Sequence, residues 1–155
     1  NRLENIDPVG LLRNLECLNV SKNQIRRLPP QLQWERLSIL DLGENELTEL
    51  PENLYGVRSL TLLMLSHNRL SSISERVSQL SGLDSLFLDK NQLTSLPASL
   101  GRIPKLRSVC FTNNLIAEIP LCLSQAPSLI EILFGGNPLS QRPAFLPQRI
   151  WTDVQ

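Results

Sequence analysis

The sequence predicts an α/β repeat solenoid. This is a right-handed β–α superhelix with a parallel sheet lining its concave side and short helical or irregular segments on its convex side. Three observations predict it. One motif returns at a nearly fixed period along most of the chain. Every copy holds an apolar-x-apolar alternation, the period-two mark of a strand with one buried face. Every copy also carries one asparagine at the same phase.

Taken in order, the chain opens on a partial unit, residues 1–14. In it Asn1, Leu3 and Ile6 stand 22 residues ahead of Asn23, Ile25 and Leu28 (1 to 23, 3 to 25, 6 to 28). Units then start at Leu15, Leu37, Leu60, Leu83, Leu106 and Leu129; the first step is 22 residues (15 to 37) and the later ones 23 (as from 37 to 60). Each follows L-x-x-L-x-L-x-x-N-x-L-x-x-L-P-x-x-L. The fourth position reads Leu18, Leu40, Leu63, Leu86, Val109 and Ile132, and the sixth Val20, Leu42, Leu65, Leu88, Phe111 and Phe134. These two positions define one short strand per unit.

Strands stacked in one direction pair in parallel, and parallel pairing needs a crossover. The second half of each unit supplies it. Pro29, Pro51, Pro97 and Pro120 follow an apolar residue, and the third unit has Ser74 instead. A proline there suits the first turn of a short helical segment, where its missing N–H costs nothing. Leu32, Leu54, Val77, Leu100 and Leu123 then turn back inward. The ninth position is Asn23, Asn45, Asn68, Asn91, Asn114 and Asn137. An amide both donates and accepts, so this column is expected to bridge the backbone groups of neighbouring turns.

No unit buries its apolar face alone, so the ends need covering. The solenoid is expected over residues 1–140. Beyond it the pattern is lost in Arg142-Pro143-Ala144-Phe145-Leu146-Pro147. Residues 141–155 are either a cap, with Phe145, Leu146 and Trp151 over the open end, or a proline-stiffened linker. The chain begins at Asn1 in mid-unit, and reads as a segment of a larger protein.

This template resembles the leucine-rich-repeat superfamily from end to end. The 23-residue step with L-P-x-x-L is similar to the class in Ras-suppressor-like, Scribble-like and plant intracellular Ras-group proteins and in bacterial effectors. The resemblance implies a binding module, with a small GTPase or another signalling protein as its partner. It also implies an alternative: in other families such regions are the substrate-recognition arms of enzymes carrying a ubiquitin-ligase, kinase or GTPase domain.

Composition narrows the function classes. Fifteen basic residues balance fifteen acidic ones, and no Lys/Arg-rich run appears. Nucleic acid and anionic membrane surfaces both call for concentrated positive charge, so neither is an expected partner. No stretch approaches the roughly 18–20 apolar residues of a membrane span. Cys17, Cys110 and Cys122 lack the spacing of a disulfide cap or a zinc site. Cys17 and Cys110 are expected four strand steps apart, roughly 19 Å, beyond the reach of about 7 Å between disulfide-bonded Cα atoms. A reducing, cytoplasmic setting is expected; the tripeptide Asn19-Val20-Ser21 matches the glycosylation pattern but is short enough to arise by chance. His67 is the single histidine and reads as a solvated residue beside the concave rim. There is no phosphate-binding loop, nucleophile elbow or H-E-x-x-H. Neither catalysis nor a cofactor or metal is expected.

Function is expected on the strand positions that do not face the core. Positions three, five and seven project from the concave face. They place Ile39, Leu62, Met64, Phe87, Cys110 and Leu133 in one apolar stripe across strands about 4.8 Å apart. Asp41, Glu44, Ser66, His67, Asp89 and Lys90 form a polar rim. Exposed apolar patches of this kind mark contact surfaces. The expected partner-binding residues are Asp41, Leu62, Met64, His67, Phe87, Asp89, Cys110 and Leu133, with Phe87 and Met64 as central anchors. A separate protein is the expected occupant; another segment of the parent chain is the alternative.

Overall fold

The fold was read from a computed structural model, which describes residues 1–141, 144 and 151–152. Each repeat forms one three-residue strand: β1 (Cys17–Asn19), β2 (Ile39–Asp41), β3 (Leu62–Met64), β4 (Ser85–Phe87), β5 (Ser108–Cys110) and β6 (Glu131–Leu133). They lie in sequence order in one parallel sheet, and β7 (Trp151–Thr152) pairs with β6 to extend it. Leu18, Leu40, Leu63, Leu86, Val109 and Ile132 stand opposite one another along this sheet, which is the register that the repeat phase requires. The chain is thus a β–α solenoid, with the sheet on one side and short turns on the other.

The strands end early, but inter-turn bonding does not. The amide at position eight donates to the carbonyl at position seven of the next turn, as in His67 N to Asp89 O at 2.8 Å and Lys90 N to Thr112 O at 2.9 Å. To bend there, Lys22, Glu44, His67, Lys90 and Asn113 adopt positive φ between 53° and 58°, and Gly136 takes 73°. This is the left-handed region, which side chains other than glycine enter at a cost.

The asparagine column closes the corner. Asn91 Nδ2 donates to Leu65 O at 2.9 Å and Leu88 O at 3.0 Å, while its Oδ1 accepts from Leu70 N at 3.0 Å. Asn45, Asn68, Asn114 and Asn137 repeat the arrangement, each joining its own turn to the one before. Asn23 caps the series: its Nδ2 bonds within its own turn and its Oδ1 accepts from Leu3 N.

The crossovers are 3-10 turns rather than longer helices: Glu52–Gly56, Glu75–Gln79, Ala98–Arg102 and Leu121–Gln125, with a further one at Asp7–Leu11. Pro51, Pro97 and Pro120 precede their turns as N-cap residues with extended ψ, one position earlier than the first helical turn expected of them. Leu54, Val77, Leu100 and Leu123 are buried behind them. Gly101 lets the last two turns approach: a Cβ there would strike the backbone carbonyl of Cys122.

The 22-residue unit has no 3-10 turn after Pro29-Pro30. Its backbone is instead tied to the preceding turn through Gln33 N to Gly10 O at 2.7 Å. Trp34 fills the space, 2% exposed, with its indole donating to Val9 O at 2.9 Å. Of the residues expected to cap or link the end, Phe145 and Leu146 lie outside the described ones. Trp151 belongs to the backbone of β7.

Candidate functional site

The outward positions of β1–β6 form a continuous face because a strand turns alternate side chains to opposite sides. Along position five the register runs Asn19, Asp41, Met64, Phe87, Cys110, Leu133, each directly beside the next. Along position three it runs Cys17, Ile39, Leu62, Ser85, Ser108, Glu131. Leu62, Met64, Phe87 and Leu133 are each partly exposed, and Ile39 is 36% exposed. Met64 and Phe87 are neighbours across β3 and β4, near the middle of the sheet.

Cys110 departs from the expectation. It is 6% exposed, so it adds little surface and the stripe narrows between Phe87 and Leu133. The reason is size: a short thiol set in register between two longer side chains lies below them. Burial pushes its pKa up, against a smaller lowering by the Thr112 amide and hydroxyl; the thiol lies 3.8 Å from Thr112 Oγ1. Cys17 is exposed and Cys122 partly so, and all three cysteines are free.

The rim residues are held by local bonds. Asp41 Oδ1 accepts from Gly43 N at 3.0 Å, and Asp89 Oδ1 accepts from the Ser66 hydroxyl. His67 is exposed at the left-handed corner, its backbone amide committed to Asp89 O. Position two, which precedes each strand, was not part of the expected site. There Asp84 Oδ2 accepts from Ser85 Oγ at 2.7 Å, and Arg107 and Ile130 are exposed, Ile130 at 54%. The signal for it was an isoleucine in a column otherwise read as Glu16, Ser38, Thr61, Asp84 and Arg107.

A second concavity of about 370 Å³ lies away from this face, where the first unit lacks its 3-10 turn; Arg13, Trp34, Glu35, Asn53 and Val57 line it. Among the described residues no group of three or more His, Cys, Asp or Glu is placed to hold a metal ion. No helix among them is long and apolar enough to cross a membrane.

Residues 13–70 and 58–116 match the family model described as leucine rich repeat. Among solved structures the chain is similar to a leucine-rich-repeat protein of Leptospira interrogans, with 22% identity over 98% of this chain and a TM-score of 0.57. It is also similar to the functional domain of InlJ from Listeria monocytogenes, with 25% identity over 91% of this chain and a TM-score of 0.75. The chain spans 52% of the first and 29% of the second. The InlJ domain includes a cysteine ladder; here no two cysteines share a repeat phase, and the stacked side chain is asparagine. No curated protein sequence matches the chain.

Proposed function

Because the chain belongs to the leucine-rich-repeat family, whose members generally bind other proteins, we propose that it is a protein-interaction module taking its partner on the concave sheet face. Met64 and Phe87 are the anchors, with Leu62, Leu133 and Ile39 beside them and Asp41, His67 and Asp89 at the rim. One observation carries this reading. Two large apolar side chains lie in register on the open face, partly exposed, where the repeat has no packing reason for them. Aromatics and methionine are enriched at the centre of protein interfaces. Cys110 drops out as a direct contact because of its burial.

The resemblance to Ras-suppressor-like proteins, through the 23-residue L-P-x-x-L repeat, makes a small GTPase or another signalling protein the first partner class to test, in a cytoplasmic setting. Three free cysteines agree with that setting. Residues 141–155 would either cap the module at its far end or link it onward. The same face would select substrates were the module joined to a ubiquitin-ligase, kinase or GTPase domain.

The test is a capture experiment with Met64→Asp/Phe87→Asp beside the parent and a convex control, Leu121→Asp/Glu118→Lys. Proteins held by the parent and the control but lost by the concave variant, with circular dichroism unchanged, are the expected outcome. Equal capture by all three would remove the concave face from consideration.

A further inference from the structure

Glu44 at the rim pairs with Lys22 at 3.6 Å, but four other carboxylates on and beside the concave face are held by neutral donors and left without cations. Asp41 is oriented by the Gly43 amide, Asp89 by the Ser66 hydroxyl, Asp84 by Ser85 Oγ, and Glu131 by Ser108 Oγ at 2.7 Å. Six ion pairs exist among the described residues, and none includes any of these four. Lys90 and Arg107 are exposed at the same side and pair with none of them either. The chain as a whole is neutral. The acidic surplus here is therefore a matter of placement, not of composition.

These acids flank the apolar stripe. Asp41 stands beside Met64 in the position-five row. Asp89 follows Phe87 by two residues and Glu131 precedes Leu133 by two, which puts each pair on one face of its strand. A ligand crossing the strands would meet an apolar centre, Met64 and Phe87, with acids around it: Asp41 on β2, Asp89 beyond the end of β4 and Glu131 on β6. An anionic ligand would meet uncompensated carboxylates, which opposes nucleic acid and acidic lipid alike.

We propose that the occupant of this face is an extended basic polypeptide segment, with Arg or Lys residues flanking apolar ones. This rests on the interaction face proposed above and assigns its partner's chemistry. The apolar residues of the segment cover Met64 and Phe87, and its cations reach Asp41, Asp89 and Glu131. Arginine suits the acids best, since its planar fork matches a carboxylate already fixed by a second donor.

Three fluorescein-labelled peptides sharing one apolar skeleton, with polar positions filled by arginine, glutamate or serine, test it by anisotropy. The arginine peptide is expected to bind, more weakly as salt rises. Binding should be about tenfold weaker to Asp41→Asn/Asp89→Asn/Glu131→Gln, which removes three surface ion pairs. These changes keep the acceptor oxygens that Gly43, Ser66 and Ser108 use, so the fold is retained. Glu4→Gln/Glu49→Gln/Glu118→Gln, with the same change in net charge at exposed sites off this face, should bind as the parent does. Equal binding of the glutamate or serine peptide, equal loss in the off-face variant, or no binding of any peptide overturns the proposal. If capture of native partners is still lost in Met64→Asp/Phe87→Asp, the face stands and only its charge preference falls.

Discussion

Asn91 serves four backbone groups in two turns with one side chain; Leu65 O, Leu88 O and Asp89 O each accept from a second donor, but the Leu70 amide has Asn91 alone. Replacing it by alanine should cost about 1–3 kcal/mol, the penalty of the one amide it orphans. Its exposed neighbour Gln92, changed to alanine, should move stability by no more than about 0.5 kcal/mol. Urea denaturation of the two variants checks the contrast. The residue before the asparagine is subject to a different constraint. At His67 the backbone sits at φ 56°, so His67→Val, β-branched, should destabilise by about 1–2 kcal/mol. His67→Gly should leave the thermal midpoint level or higher, whereas a surface role alone would make the two variants equivalent. The asparagine column was legible because one residue type recurs at one phase. The left-handed corner was not, because Lys22, Glu44, His67, Lys90 and Asn113 share no chemistry and only Gly136 advertises the geometry. Cys110 was misjudged for a related reason: parity gives the side of the sheet, but depth depends on the sizes of Phe87 and Leu133 beside it.

Between elements, the 3-10 turns stabilise one another across the repeat. The turn Ala98–Arg102 has no side-chain cap of its own, since Pro97 precedes it. Glu75, one turn back, supplies one: its carboxylate accepts from Ala98 N at 2.9 Å and Ser99 N at 2.8 Å. These bonds, the Ser99 amide foremost, hold the Glu75 pKa below its ordinary value. A carboxylate with a folded pKa below its unfolded one adds stability at pH above the unfolded value, and loses it as pH falls through the folded value. Glu75→Gln should therefore be less stable than the parent at neutral pH, and the difference should shrink on acidification through the carboxylate range. Thermal midpoints measured across that range test this; a constant difference would rule the cap out. Short convex turns were foreseeable from Pro51, Pro97 and Pro120. The cap was not, because Glu75 and Ala98 become neighbours only once the 23-residue period is folded into contact. Trp34 is the reverse case: a large side chain in the one short unit, explained only when the missing 3-10 turn is seen above it.

At the scale of the whole molecule, every strand pairs only with its sequence neighbours, so stability is a sum over adjacent turns. The period, more than any single residue, is then what the fold depends on. Deleting residues 60–82 removes one complete turn and joins Ser59 to Leu83 at an unchanged phase. Leu40 would pair beside Leu86, and Asn91 would find Leu42 O where it now finds Leu65 O. This variant should keep its circular dichroism signature and unfold cooperatively, with a smaller denaturant m-value in proportion to the surface lost. Deleting residues 60–70 removes fewer residues but takes the strand and leaves its crossover, so β2 would lose β3 and the Leu47 amide would lose Asn68 Oδ1. That shorter deletion should be the more damaging, with loss of the cooperative transition. If both deletions were tolerated alike, stability would not reside in the phase of stacked turns, and the sheet face built on that phase would lose its geometric basis.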